Sequence, residues 1–340
     1  MTEVHSSGGP ALSAIVVART GWDPVATTVR HLAAQTIANR LEVVFVVPRS
    51  IPFAPPSDAI ARFAATRMAT VAAIPSCASG YAAGVRAAAA PFVALAEDHC
   101  FAEPRWAESL LAGYDERTAA VGPVVEHANE DGAIAWVDYL LGYGQWVAPR
   151  TNGDVTNLPG HNSSYRRETL LALEPDLEDW LDFESLLHRE LRARGWRLVL
   201  APAARSHHFS ISRPASWLAV TYLQSRVFGG RRLGGAGIAK RALYLAAIPL
   251  VPAIRLRRVL RDIRRARSGP SLVRTVPALL VGLTASAIGE AAGYALGPGR
   301  APERICRYEF ERARHVNSRD RRAIAGARFH GGETRSADDA

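Results

Sequence analysis

Two acidic residues and a histidine, Glu97, Asp98 and His99, directly follow a short apolar run at Pro91–Ala96. An apolar run of this length is typical of a buried strand, and ligands of open α/β sheets bind outside the carboxyl ends of the strands. Carboxylate oxygens and an imidazole nitrogen are suitable ligands for a divalent cation. We therefore expect a metal site here, although a polar strand end followed by a turn would have the same sequence.

A second acidic cluster lies at residues 176–184, before a predicted helix that ends at Gly195. Asp182 and Glu184 fall at the start of this helix. Acids near a helix N-terminus stabilise it, so Asp182 as N-cap and Glu184 as a first-turn acid form one interpretation. The other is chemical: one of these two acids is a general base. The residues alone leave both interpretations open.

Two further polar segments belong with these acids. A loop with Gly160, His161 and Asn162 leads into a predicted short strand, and a helix is predicted to follow at residues 168–173. His207 and His208 follow a predicted strand at residues 196–200. Paired histidines in a loop are often only solvated, but their place after a strand end predicts that one of them reaches the metal or a phosphate.

Strands and helices alternate along the first part of the chain. This alternation predicts an α/β fold with a mainly parallel sheet and helices on both faces. A Gly-x-Gly-x-x-Gly motif is missing after the first strand, and a phosphate loop is missing altogether. The usual dinucleotide and nucleoside-triphosphatase sites are therefore disfavoured. The predicted strands are residues 12–18, 41–47, 70–74, 91–96 and 119–125, and the predicted helices between them are 23–35, 79–90 and 104–114.

Charge is distributed unevenly over the 340 residues, whose net charge is +9. Residues 1–225 contain 18 basic and 23 acidic side chains, whereas residues 226–340 contain 23 basic and 9 acidic ones. Two apolar segments lie in the basic part. Residues 242–254 are too few to span a bilayer, and residues 276–296 are a marginal span that includes Glu290. Seven arginines lie between them: Arg255, Arg257, Arg258, Arg261, Arg264, Arg265 and Arg267.

These features favour interfacial or re-entrant helices held by buried apolar faces and by arginine contacts to anionic lipid. If both apolar segments crossed the membrane and the first part of the chain were cytosolic, the arginine-rich loop between them would lie on the far side of the membrane. That would oppose the positive-inside tendency. A soluble helical subdomain packed on the first part of the chain is the alternative. Nucleic acid is disfavoured as a partner because aromatic residues are not interleaved with the arginines.

The order of these features over roughly residues 12–230 resembles the family 2 glycosyltransferases, the inverting enzymes of the GT-A fold. Three segments depart from the pattern of that family. Pro48 and Arg49 stand where an acid usually contacts the nucleobase, Glu97 and His99 replace metal-binding aspartates, and Glu184 replaces the usual catalytic aspartate. The matching segments are Ala18–Gly21, Gln35-Thr36, Gly80–Ala88, Glu97–His99, Pro104–Trp106, Gly160–Arg167, Phe183-Glu184 with Gly195, and His208.

The resemblance implies a GT-A domain at residues 11–230, with Glu184 as its general base and Asp182 as the reserve candidate. The charge and the apolar segments described above predict a basic, helical, membrane-associated region at 231–328, and the composition of the ends predicts disorder at 1–10 and 329–340. The resemblance also implies single-displacement transfer of a sugar from a nucleotide-sugar donor to an envelope glycan or lipid-linked acceptor at the cytoplasmic membrane face. A catalytically degenerate transferase fold that serves as a membrane-bound binding or scaffold protein is the alternative. The implied sites are Glu184 and Asp182 for catalysis; Ala18, Arg19, Thr20, Glu97 and Asp98 for the donor; Gly160, His161, Asn162 and Arg166 for the acceptor-side loop; and Glu97, His99 and His208 for Mg²⁺ or Mn²⁺.

Overall fold

The structure is a computed structural model that describes residues 9–129, 132–147, 150–265 and 272–327. Apart from residues 9 and 10, both terminal segments that were predicted to be disordered lie outside these residues. Arg267 of the arginine-rich loop also lies outside them.

The first part of the chain forms one sheet with the order β3-β2-β1-β4-β8-β6-β9-β5, and β7 also pairs with β9. Strands β1 to β4 are mutually parallel, and β6 is parallel to β9. Strand β8 runs antiparallel between β4 and β6. The prediction of a mainly parallel sheet is confirmed. The strands are β1 (Leu12–Val17), β2 (Leu41–Pro48), β3 (Ala65–Val71), β4 (Phe92–Ala96), β5 (Cys100–Ala102), β6 (Thr118–His127), β7 (Gly153–Asp154), β8 (Ser164–Arg166) and β9 (Arg197–His208).

Helices cover the sheet and then form a C-terminal helical region, as predicted. The predicted domain boundary after residue 230 falls inside α9, so one helix joins the two regions. The helices of the first part are α1 (Ala26–Ala33), α2 (Ser57–Ile60), α3 (Cys77–Ala87), α4 (Trp106–Leu111), α5 (Ala133–Tyr143), α6 (Arg167–Leu171), α7 (Leu177–Leu181) and α8 (Glu184–Ala193). Those that follow are α9 (Pro214–Arg232), α10 (Ile238–Ala246), α11 (Val251–Arg265), α12 (Leu272–Leu296), α13 (Ala301–Glu309) and α14 (Ser318–Gly326).

Side chains of β1 alternate between two apolar layers, as the period of a strand requires. Ile15 packs in the layer that contains Tyr81 of α3, whereas Val16 packs in the layer that contains Val29 of α1 and Trp106 of α4. Each fully buried aliphatic side chain of this kind contributes about 1.5–3 kcal/mol. The sheet is therefore covered by helices on both faces, as predicted from the alternation of elements.

Several element ends differ from the prediction. Helix α1 begins at Ala26, three residues later than predicted, and Val25 before it makes no side-chain cap. Helix α3 begins two residues early because Ser76 and Ser79 form a capping box there. Strand β3 is five residues earlier than expected at its start. These shifts are of the size that local propensity leaves undecided, since packing fixes where an element ends.

The two histidines at the end of β9 were expected in a loop, and that expectation is wrong. They belong to the strand because β5 pairs with it antiparallel, with Cys100 opposite His208 and Phe101 opposite His207. Strand β5 has only three residues and immediately follows His99, so the sequence gives little sign of it. This pairing extends β9 toward the polar segment after β4.

Helices α9 and α12 pack with their backbones in contact. A Cβ on Gly289 would lie 2.3 Å from the carbonyl oxygen of Tyr222, and one on Gly293 would lie 2.3 Å from that of Arg226. Glu290 on the same buried face pairs with Arg255 of α11 at 2.6 Å. Among the described residues, one helix, Arg274–Leu296, has the length and composition to cross a membrane, and 44% of its most apolar window is buried in the protein.

After α12 the chain returns to the sheet. The carbonyl oxygen of Ala325 accepts a hydrogen bond from Arg30 at 3.3 Å, and that of Ala327 lies 3.1 Å from Nε2 of His31. Both partners belong to α1. The segment from α13 to α14 is thereby held against the first part of the chain, where it can contribute to the site.

Candidate active site

The direction of strand order reverses at β1, because β2 and β3 lie on one side of it and β4 lies on the other. The residues that follow β1 and β4 therefore meet at a topological switch point, where open α/β sheets bind ligands. Ala18 continues the ladder by donating to the carbonyl oxygen of Val46 at 2.9 Å. Arg19 is partly buried and Thr20 is exposed. Their donor-binding role stays a prediction.

Three side chains at this edge form a possible metal-binding cluster. One ligand atom from each of Glu97, His99 and His208 lies within 4.8 Å of the others, and all three residues are buried. The rings of His99 and His208 are 5.0 Å apart in an edge-on arrangement. The cluster exists because Cys100 pairs with His208, which brings the end of β9 beside the segment after β4.

Hydrogen bonds around the two imidazoles fit a metal-binding role. Asp98 lies 2.6 Å from Nδ1 of His99, and the hydroxyl of Ser210 lies 3.1 Å from Nδ1 of His208. A partner on one ring nitrogen fixes the orientation of the ring and leaves the other nitrogen for a metal. Burial lowers the pKa of His208 to about 3, so this ring is neutral at physiological pH, as a ligand must be. One carboxylate and two neutral imidazoles form a suitable donor set for a divalent cation.

Glu97 is held by groups from two other segments, the loop at residues 160–162 and helix α5. Nδ2 of Asn162 donates to Oε2 at 2.8 Å, Nδ1 of His161 lies 2.9 Å from Oε1, and the Tyr143 hydroxyl donates at 3.4 Å. Burial would raise the pKa of Glu97, but the surrounding imidazoles lower it well below its usual range. The carboxylate is therefore ionised and fixed in orientation.

His161 connects this carboxylate to the predicted general base. Its Nε2 lies 3.3 Å from Oε1 of Glu184, while Nδ1 faces Glu97. Burial would lower the pKa of His161, but the two carboxylates raise it to about 10. The ring is therefore a cation between two anions at neutral pH. The sequence placed His161 in this loop but gave no sign of the bridge.

Backbone geometry of the loop matches these contacts. A Cβ on Gly160 would lie 2.2 Å from Cδ of Glu184, so only glycine allows the carboxyl group to approach. Asn162 has a left-handed backbone with φ of 61°. The backbone N–H of Asn162 donates to the carbonyl oxygen of Leu95 at 2.7 Å, and its backbone carbonyl oxygen accepts from the indole N–H of Trp106 at 3.1 Å. These bonds hold the strained residue in place.

The cluster opens into a cavity of about 430 Å³. One side is formed by Glu97, His161, Glu184 and His208 from the first part of the chain. The C-terminal helical region forms the other side and adds both apolar and basic groups. Its lining residues include Val220, Thr221, Gln224, Arg255, Arg258, Ser286, Ile305, Glu309 and Arg312.

Two predicted site residues have other partners. Arg231 of α9 pairs with Asp182 and, at 2.8 Å, with Asp179. Phe183, and not Asp182, stands at the N-cap of α8, so the capping interpretation of Asp182 is wrong. Arg166 lies apart from the cluster, where its guanidinium donates to the carbonyl oxygens of Thr118 and Asp115. The roles assigned to both residues stay predictions.

Three residues at the site were not anticipated from the sequence. The first is Tyr143, whose ring lies 4.4 Å from that of His208. The other two are Glu309, at the end of α13, and Arg312, just after it. Arg312 reaches Nε2 of His99 at 2.7 Å. Their spacing of three residues indicates only a local ion pair. Nothing in it relates them to a segment 213 positions away.

No protein-family model matches the chain, and no curated protein matches its sequence. The chain therefore has no family assignment from sequence comparison. The glycosyltransferase hypothesis depends on its own residues and fold.

Solved structures match the chain at 12–15% identity. GalNAc-T7 with UDP, GalNAc and Mn²⁺ matches with a TM-score of 0.43 over 69% of this chain and 54% of that chain, at 13% identity. The mannosyltransferase PcManGT from Pyrobaculum calidifontis, in complex with GDP-Man and Mn²⁺, matches with a TM-score of 0.49 over 83% and 87%, at 15% identity. TarS from S. aureus matches with a TM-score of 0.41 over 83% and 55%, at 12% identity. The chain spans about half of the GalNAc-T7 and TarS chains.

These likenesses concern the fold alone. The strand order and the helices on both faces give this chain the α/β fold with a mainly parallel sheet that was predicted from its sequence. Assignment to family 2 is a further step that the comparisons leave to proposal.

Proposed function

We propose that this protein is a metal-dependent, inverting glycosyltransferase of the family 2 type, with a nucleotide sugar as donor. The single observation that carries the proposal is the meeting of Glu97, His99 and His208 within 4.8 Å, with Glu97 and His208 on the wall of a cavity that Glu184 also lines. A bound Mg²⁺ or Mn²⁺ would neutralise charge on a diphosphate leaving group. The donor set suits such an ion, and the cavity has room for a sugar beside it.

Glu184 is the group best placed to act as general base. Its carboxyl group lines the cavity, is partly exposed to it and is held by His161. In single displacement it would take the proton from an acceptor hydroxyl as that oxygen attacks the anomeric carbon from the face opposite the leaving group. Asp182, the reserve candidate, is already paired with Arg231. The contacts therefore favour Glu184.

The remaining predicted residues hold these groups in place. Gly160 leaves space for Glu184, Asn162 orients Glu97, and Asp98 sets the orientation of the His99 ring. Positioning of this kind supports catalysis because small displacements of reacting groups cost large factors in rate. Ala18, Arg19 and Thr20 follow β1 at the same edge of the sheet and are proposed to contact the donor.

We further propose that the acceptor is an envelope glycan or a lipid-linked glycan at the cytoplasmic membrane face. The support is the surface of the C-terminal helical region. Large exposed hydrophobic side chains concentrate there, and exposed arginines of α11 accompany them. Contiguous apolar surface with basic residues is typical of membrane association. The exposed residues are Ile238, Leu243, Leu250, Ile254, Leu280, Val281, Ile288 and Leu296.

The test is calorimetric titration with nucleoside diphosphates and nucleotide sugars, in Mn²⁺ and in chelator. Binding should require Mn²⁺ and should be lost in Glu97→Gln and His208→Gln. His207→Gln is a matched control, because this neighbouring histidine faces Glu103 at 2.9 Å and lies outside the cluster. Failure of the folded protein to bind any nucleotide would reject the transferase and favour the membrane-bound scaffold. Binding that is insensitive to chelator and to His208→Gln would reject the metal site.

A further inference from the structure

A buried arginine from the C-terminal region lies against the proposed metal ligands. Arg312, only 5% exposed, begins a short helical turn after α13. Its Nη2 atom lies 2.7 Å from Nε2 of His99 and 2.7 Å from Oε2 of Glu309. The guanidinium also lines the cavity. A cation carried by the chain itself is thus in contact with the cluster.

Contacts on both sides of Arg312 hold its segment in place. Glu311 pairs with Arg19 at 3.2 Å, and Arg19 is one of the residues predicted to bind the donor. The ring of Phe310 lies 6.4 Å from that of Tyr81 on α3. The segment therefore contacts the end of β1 through Glu311 and helix α3 through Phe310. Its position over the switch point is specific and does not depend on Arg312 alone.

The contact between Arg312 and His99 fixes the protonation of the imidazole. A guanidinium has only donors, so Nε2 of His99 must accept and Nδ1 must carry the proton. That proton then points to Oδ1 of Asp98 at 2.6 Å. Nε2 has one lone pair, and a metal ion would need the same one. Arg312 and a metal ion therefore cannot hold His99 at the same time.

We propose that Arg312 is a tethered cation that holds the His99 lone pair while no metal is bound, and that it contacts the donor diphosphate once the metal takes that lone pair. The proposal rests on the proposed function, because it assumes a metal and a diphosphate at this site. It adds a donor-binding residue from outside the GT-A domain. It also makes the affinity for the metal depend on the C-terminal segment.

Charge gives the reason for the second contact. A metal ion on His99 would repel the adjacent guanidinium, and Arg312 would need a new anionic partner besides Glu309. A diphosphate on the metal is such a partner, since arginine binds phosphate oxygens through paired hydrogen bonds. Arg312 already lines the cavity where that group would lie. A change of side-chain orientation is therefore sufficient, and the segment can stay in place.

The experiment compares Arg312→Gln with the wild type in two binding assays. Mn²⁺ binding is measured without nucleotide by electron paramagnetic resonance. Binding of ADP, GDP, CDP and UDP is then measured by calorimetry at saturating Mn²⁺. Loss of one charge-assisted hydrogen bond corresponds to roughly a tenfold change in affinity. We expect Mn²⁺ to bind about tenfold more tightly and the preferred nucleotide about tenfold more weakly.

Arg314→Gln is the matched control. This arginine lies two positions away, is 78% exposed in its side chain and pairs with Glu311 at the surface. It should change neither affinity. If Arg312→Gln does not fold, Arg312→Lys carries the test. Lysine keeps the charge but lacks the paired donors of arginine. In this variant Mn²⁺ should again bind more tightly and the nucleotide more weakly, each by about threefold.

The outcomes separate this inference from the proposed function. Unchanged or weaker Mn²⁺ binding in the Arg312 variant overturns the competition for His99. Tighter Mn²⁺ binding with unchanged nucleotide binding overturns the contact with the diphosphate. If the wild type and the variant both bind Mn²⁺ but neither binds a nucleotide, the contact with the diphosphate and the transferase function are both rejected. A folded pair that binds no Mn²⁺ would reject the metal site itself together with the inference.

Discussion

Two regions of the molecule carry charge in different ways. The histidine–carboxylate cluster, formed by Glu97, His99, His161, Glu184 and His208, is largely buried, and its members contact one another. The arginine face of α11, formed by Arg257, Arg258, Arg261 and Arg264, is exposed. Buried groups are fixed in position and shifted in pKa, whereas exposed ones act through the potential that they create. The first arrangement suits chemistry, and the second suits attraction to an anionic surface.

This difference has a consequence for mutations. A change in the cluster should alter rate or binding by large factors, because each member orients another. A change on the arginine face should alter affinity for a surface by a small factor per residue, because exposed charges contribute almost independently. The expected effects below run from the largest to the smallest.

Glu184→Gln should reduce kcat by about a thousandfold, because the amide cannot take the proton from the hydroxyl of the acceptor. Binding of Mn²⁺ and of the nucleotide should be nearly unchanged, since Glu184 is not one of the cluster's metal ligands. Steady-state kinetics and calorimetry measure the two effects. Asp182→Asn is the comparison: its partner is Arg231, so less than a tenfold loss is expected. A larger loss in Asp182→Asn than in Glu184→Gln would exchange the two roles.

Gly160→Ala should reduce kcat by about a hundredfold, because the new Cβ would displace the Glu184 carboxyl group. The atom would otherwise lie 2.2 Å from Cδ. Gly142→Ala, in α5, is the control, since a Cβ there meets nothing within 4 Å. Kinetics of both variants, with thermal melting to check the fold, make the measurement. Equal activity of the two variants would show that the position of Glu184 is not critical.

Replacement of His161 should reveal a pH-dependent contribution to stability. Its pKa is raised from 6.5 to about 10 by Glu97 and Glu184. A raised pKa stabilises the folded state fully below pH 6.5, and the contribution declines as the pH rises through 10. At pH 7 the melting temperature of His161→Gln should be lower than that of the wild type by roughly 5 °C or more. Melting curves from pH 6 to 10.5 should show this difference shrink; a constant difference would contradict the ionic bridge.

Arg257→Gln should have the smallest effect. Binding to phosphatidylglycerol vesicles should weaken by about fivefold, which corresponds to roughly 1 kcal/mol for one basic residue near an anionic surface. Stability should be unchanged because Arg257 is exposed. Vesicle co-sedimentation against pure phosphatidylcholine measures the effect. Arg62→Gln, an exposed arginine of the first part of the chain, should leave vesicle binding unchanged. Equal losses in both variants would argue against a specific membrane face.

Much of the fold was predictable because its signals are local. The buried strands β1, β2 and β4 are short apolar runs, and helices of moderate length separate them. Alternation of such elements leaves few arrangements besides a parallel sheet covered on both faces. Strand β5 and helix α7 were missed because three and five residues are too short for a period to be recognised.

The candidate site was predictable in its parts. Glu97 and His99 stand out because polar residues end an apolar strand, and His208 stands out near the end of another. The sequence could not show that His208 lies on β9 opposite Cys100, since that depends on the pairing of a three-residue strand. The sequence also could not show the bridge of His161 between Glu97 and Glu184, because the three residues come from separate segments that only the tertiary structure brings together.

The sequence by itself determined which residues can do chemistry and on which strand ends or loops most of them lie. The tertiary structure alone decided that the C-terminal helical region completes the cavity and that Arg312 reaches His99. The physical reason is one of range. The periodic patterns of strands and helices predict which side chains within a few residues of one another share a face. A contact between residues 99 and 312 depends instead on how α9, α12 and α13 pack. That packing follows from close approach at Gly289 and Gly293 and from the buried Glu290, whose partners no local pattern specifies.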